Sequence, residues 1–260
     1  MLSLPQHGAI FKPQSPRAKV LDVRDSVSDL TTYTFTAVNI PEIGTTMSEV
    51  EAYGAGPMLR TPSRKIIYVI VHSEDAAVTW TASTCTLGGI SSSKVVDRGG
   101  ASTIIDTAIF RFGALTAADP LPNTDIVVTF SEAITACAIG VVLVENVAIV
   151  NTIAVDSGAT SGVDNVNPAT NFVNADTNNF MLLGTTHTLG NLTETVQTEA
   201  YGSAGGFQPQ LLYESSNAEM SYAAYFSTCP QWNGANGFVL GTTTSWSGAS
   251  GFDNAGFVGT

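Results

Sequence analysis

Between Arg64 and Ser73 the chain reads RKIIYVIVHS, an almost unbroken run of β-branched and aromatic residues bounded by charged and polar positions. A short run of this kind predicts a central strand buried on both faces, because only a strand covered from above and below can place every second side chain out of water. Its neighbours share the same texture. Thr31 to Val38 alternates, with Tyr33, Phe35 and Ala37 on one face and threonines on the other. Ala77 to Leu87 alternates again and meets a turn at Gly88-Gly89. Lys94 to Asp97, Ile104 to Phe112, Asp125 to Ser131 and Cys137 to Val144 predict four more strands. Gly99-Gly100, Asp119 to Asn123 (DPLPN) and Ser131 to Thr135 separate them. Later strands are predicted at Phe180 to Leu189, Gln208 to Tyr213, Glu219 to Phe226, Gly237 to Ser245 and Gly256 to Val258. Pro41 to Pro62 and Asp156 to Asn179 read as long loops.

About eleven to thirteen short strands, with turn signals roughly every 8 to 12 residues, predict an all-β fold. The expected architecture is a two-sheet antiparallel sandwich, jelly-roll-like, spanning residues 29–260 as one domain. Residues 1–28 are expected to form an extended N-terminal arm, because Pro5, Pro13 and Pro16 block regular structure there. No helical period and no internal repeat is evident.

Composition narrows the function classes. Hydrophobic residues make up 44% of the chain and charged residues only 12%, enough to fill a sizeable core. The net charge is −12, and every Lys and Arg lies at or before Arg111. The segment beyond is purely acidic, which argues against nucleic acid as a partner, since phosphate contacts need cations. The longest apolar stretch, Ala136 to Val150, is interrupted by Glu145 and Asn146 and is too short to span a bilayer. Met1 to Ile10 lacks the basic start and apolar stretch of a signal peptide, so synthesis in a cytosol without membrane insertion is expected. Cys85, Cys137 and Cys229 are too few for a disulfide framework and read as buried thiols, although one pair could bridge.

The residues that carry chemistry form no recognisable reaction set. His7, His72 and His187 have no metal-ligand spacing and read as structural. Gly202 to Gly205 and Gly248 to Gly251 are Gly/Ser turns, not nucleophile elbows. Glu194 with Glu199 and Glu214 with Glu219 are conceivable carboxylate pairs, but their spacing places the members on opposite faces of a strand. Asp156, Asp164 and Asp176 supply oxygen donors in a loop, a candidate calcium site that matches no known loop motif. Asn191-Leu192-Thr193 fits the glycosylation tripeptide without any sign of a secretory route. No catalytic residue, metal or cofactor is therefore expected. Trp232 and Trp246, in QWNGANG and SWSGASG, are candidate glycan contacts or caps on the ends of the core. In the arm, Ile10, Phe11, Lys12, Arg17 and Lys19 are the candidate assembly contacts, with a mobile terminus as the alternative.

The stretch Thr31 to Val147 resembles a loosely defined group of tailed-bacteriophage virion proteins. The resemblance rests on Thr31 to Phe35 (TTYTF), on Arg64 followed by its β-branched run, and on Leu87-Gly88-Gly89 followed by Lys94-Val95-Val96. It continues through Ala108 to Phe112 (AIFRF), Ile126 to Ser131 (IVVTFS) and Cys137 to Val141 (CAIGV). It implies a sandwich core and a non-enzymatic place in a virion, as head decoration or cement or as a tail component. The implied partners are other virion proteins and further copies of the chain. A carbohydrate-binding module for host adhesion, contacting a surface glycan, is the alternative.

Overall fold

The computed structural model describes residues 16–40, 64–75, 80–97, 104–112, 121–147, 152–161, 169–170, 180–188, 195–201, 210–228, 239–245 and 251–259. These residues form fifteen strands: β1 (Arg17–Ile40), β2 (Arg64–Glu74), β3 (Ala82–Leu87), β4 (Ile90–Ser91), β5 (Ser93–Asp97), β6 (Ile105–Phe112), β7 (Leu121–Val147), β8 (Thr152–Ser161), β9 (Ala169–Thr170), β10 (Phe180–Thr188), β11 (Thr195–Tyr201), β12 (Gln210–Ser216), β13 (Met220–Thr228), β14 (Val239–Ser245) and β15 (Gly251–Gly259). The described residues contain no helix, and every ladder among them is antiparallel. The all-β expectation holds.

The largest sheet has the order β4-β3-β7-β2-β6-β5, with β1 added on β7. It curls into a nearly closed, barrel-like form, and β7 causes the curl. Its first half pairs with β3 from Ile126 to Phe130, and its second half pairs with β2 from Ala136 to Val147, while β1 follows it along both halves. The expected break at Ser131 to Thr135 is therefore not a turn between two strands. It is a bend inside one strand, where Ser131, Glu132 and Ala133 are all exposed and the in-out alternation lapses. No Gly or Pro stands there to end the strand, so the ladder kinks and continues. β1 bends with it. The Tyr33 hydroxyl lies between the carbonyls of Ser28 and Ile134, and the Arg24 guanidinium reaches the carbonyls of Thr36 and Ala37 farther along the same strand. On the far side, Gly88 and Gly89 take positive φ in the β3–β4 turn, as Gly-Gly allows. The chain then passes through Ser92 from pairing with β3 to pairing with β6.

β2 is buried on both faces, as its composition predicts. Ile67, Val69 and Val71 point into the barrel beside Phe110, Ile139 and Trp80. Ile66, Tyr68 and Ile70 point outward beside Phe180, Leu182 and Tyr222. The outward residues are covered by a second sheet of order β12-β13-β10-β15-β8, whose strands β10 and β13 lie over β2. Together the two faces make two hydrophobic cores separated by one layer of backbone. A third sheet has the order β11-β14-β9.

Three expectations need correction. Asp156 to Asn179 is not one loop: Thr152–Ser161 forms β8 on β15, and Ala169–Thr170 forms β9 on β14. β8 is the edge of its sheet, where polar and small residues are tolerated. Thr195–Tyr201, not predicted as a strand, pairs with β14. Finally, the expected arm boundary at residue 28 falls inside β1: residues from Arg17 on are laddered to β7, and residues 1–15 lie outside the described residues.

Candidate functional site

The densest polar constellation among the described residues lies in the seam between the barrel-like sheet and its covering sheet. β2 alternation turns His72 outward with Ile70, and β6 alternation does the same for Thr107, its ladder partner. From the covering sheet β10 brings Thr186, β12 brings Tyr213 and β13 brings Tyr222. His72 Nδ1 stands 2.8 Å from Thr186 Oγ1, which stands 2.7 Å from Thr107 Oγ1. His72 Nε2 stands 2.9 Å from the Tyr213 hydroxyl. A neutral imidazole donates from one nitrogen and accepts at the other, and a hydroxyl on each side can complete either arrangement. Tyr222 stacks on the imidazole at 5.1 Å and donates its hydroxyl to Asp25 Oδ2 of β1 at 2.7 Å.

Two glycines make this approach possible. A Cβ on Gly140 would lie 2.0 Å from the Tyr213 hydroxyl oxygen, and one on Gly184 would lie 2.6 Å from Ile70 Cγ2 and 2.9 Å from Thr107 Cγ2. The first opens the barrel wall to Tyr213, and the second lets β10 settle against β2 and β6.

Burial sets the electrostatics of the seam. His72 is 0% exposed, and burial, reinforced by the neighbouring His187, lowers its pKa to about 3. It is a neutral ring at physiological pH, held for packing and hydrogen bonding. Burial pushes the Tyr213 and Tyr222 hydroxyls well above the ordinary tyrosine value. Glu74, at the end of β2, is raised to about 7 by burial, then by Glu219 and Asp75. Its Oε2 has no hydrogen-bond partner among the described residues.

A second cluster lies at one end of the barrel interior. A bulge at Val95 turns both Lys94 and Asp97 to the face of Phe110 and Ala108, so residues three apart meet and form an ion pair. Lys94 also donates to the Ala82 carbonyl at 3.1 Å. Asp106 of β6 is buried near Asp97 with neither carboxyl oxygen hydrogen-bonded among the described residues, and its pKa lies well above the carboxylate range because of burial and then the Asp97 charge. Nearby, Trp80 Nε1 donates to Ser73 Oγ at 3.0 Å. Among the described residues, no group of three or more His, Cys, Asp or Glu side chains is placed to hold a metal ion.

The sequence-predicted residues are dispersed. Arg17 and Lys19 are exposed on β1, whereas Ile10, Phe11, Lys12, Trp232 and Trp246 lie outside the described residues. Glu214 is exposed on β12, and Glu219 approaches Glu74 instead. Asp156 is in β8 opposite Gly256, with Asp164 and Asp176 outside the described residues. Cys85 and Cys137 are buried free thiols, and Cys229 lies outside the described residues. The seam partners Thr107 and Thr186 were not anticipated, and Tyr213 and Tyr222, candidates from sequence for an aromatic stacking platform for sugars, are instead buried against His72. Their pairing spans more than 70 residues in every case, and the sole sequence signal was a histidine ending a run buried on both faces. Comparison with protein-family models, curated proteins and solved structures returns no match.

Proposed function

We propose that this chain is a non-enzymatic structural component of a bacteriophage virion, placed on the particle exterior as head decoration or cement or as part of the tail. The observation that carries the reading is the sealed seam. His72, with a hydroxyl at each ring nitrogen, has 0% exposure and is hydrogen-bonded on both sides within the fold. A general base must reach substrate, whereas a ring enclosed in this way joins two sheets. The phage resemblance of Thr31 to Val147 supplies the virion context, and that stretch includes β2, β3, β5, β6 and β7. In this reading the curled sheet and its cover act as a two-sheet, jelly-roll-like sandwich. Residues 1–15, with Ile10, Phe11 and Lys12, reach a neighbouring virion protein, and Arg17 and Lys19 stand at the root of that arm.

Immunogold electron microscopy of purified particles, with antibody raised against the recombinant chain, tests the placement. Label on heads or along tails is expected, and its absence from intact particles would overturn the proposal. Label confined to the tail tip, with cell binding lost in Trp232→Ala or Trp246→Ala, would favour the adhesion alternative. The arm is tested by deletion, which must stop before Arg17 so that the β1 ladder survives. Loss of co-sedimentation with particles by a folded chain lacking residues 1–15 is the expected result.

A further inference from the structure

We infer that Glu74 makes the contact between the barrel-like sheet and its cover proton-dependent, firm when the carboxyl is protonated and loosened as it ionises. The geometry puts Glu74 where the cover ends. On the seam face of β2 it follows His72 by two residues, between Ile105 of β6 and Ala136 of β7 in the ladder. Above it the chain turns from β12 into β13 at Asn217 to Glu219, where Asn217 Oδ1 accepts the backbone N–H groups of Glu219 and Met220 and fixes the turn. Among the described residues, the charged and titratable groups around it are Glu219 from that turn and Asp75, which follows it in the chain. His72 lies deeper in the seam, His187 follows Thr186 on β10, and Asp25 of β1 is bound by Tyr222. Glu74 is 8% exposed as a residue, its Oε2 is buried without a partner among the described residues, and two acids lie near it, so its carboxyl holds a proton well. Once that proton leaves, negative charges on the two sheets oppose one another across the seam.

The direction follows from linkage. The folded-state pKa exceeds the ordinary carboxylate value, so the contribution is full at low pH and is lost as pH rises through about 7. His72 works in the opposite direction, its contribution being lost as pH falls below the ordinary histidine value. This inference is independent of any place in a virion. Amide hydrogen exchange of the intact chain, corrected for intrinsic rates, tests it on β10 and β13. Protection there is expected to fall about tenfold or more between about pH 5.5 and about pH 8. Glu74→Gln should abolish that fall, and Glu219→Gln, at a partly exposed turn position, should reduce it. Flat protection in the native chain, or an undiminished fall in both variants, would overturn the inference.

Discussion

At Gly140 and Tyr213, one absent methyl and one hydroxyl decide how the two sheets meet. Gly140→Ala would drive Cβ into the Tyr213 ring, and a crowded core contact of this kind costs about 1–3 kcal/mol. Tyr213→Phe keeps the ring but leaves His72 Nε2 unanswered, at about 1–3 kcal/mol for a buried group without a partner. Urea unfolding of the two variants would measure both losses. Asp106 gives a prediction of the opposite sign. Its pKa is raised in the folded chain, so its stabilising contribution is present below the ordinary carboxylate pKa and lost as pH rises through the raised value. Asp106→Asn should therefore unfold at a higher temperature than the native chain at about pH 9, with a smaller gain or none at about pH 5. Thermal melts at the two pH values check it. Asp106 did not stand out in the sequence, and Tyr213 did so only as one of several aromatics that could stack on a sugar. Tyr213 acquires its role through a histidine 141 positions away, and no local pattern encodes such a pairing.

Among the elements, β2 was the most legible and β7 the most misleading, for the same physical reason. Composition reports whether a segment can be buried, and RKIIYVIVHS can be buried on both faces wherever it lies. It does not report where a strand stops when no Gly or Pro stops it. Residues Ser131 to Thr135 are polar enough to suggest a turn, yet the Tyr33 hydroxyl and the continuing β1 ladder hold them as a bend. β8 was missed for a related reason, because an edge strand needs no apolar face of its own to be held by β15. The two faces of β2 can be probed separately. Ile67→Ala opens the barrel core and Ile70→Ala opens the seam, and each should cost about 2–5 kcal/mol in equilibrium unfolding. The seam variant alone should raise hydrogen exchange in β10 and β13 selectively, since Ile70 meets Gly184 there.

In the whole molecule, two cores share one backbone layer, so the cover can loosen while the barrel interior stays closed. In the proposed virion role, that division would let the surface adapt to neighbours without unfolding. The buried thiols belong to the closed part. Burial holds Cys85 and Cys137 well above the ordinary thiol value, so both should resist thiol reagents in the native chain and react on denaturation. The β1–β7 ladder has a further consequence, in time and not in space. Arg17 finds its partner at Glu145 and Ile40 at Leu121, so β1, the first of the described strands, has its ladder partner only in β7, six strands later. Such long closures fold slowly. On the ribosome, β1 stays without this partner until β7 emerges, a delay built into the order of the sequence.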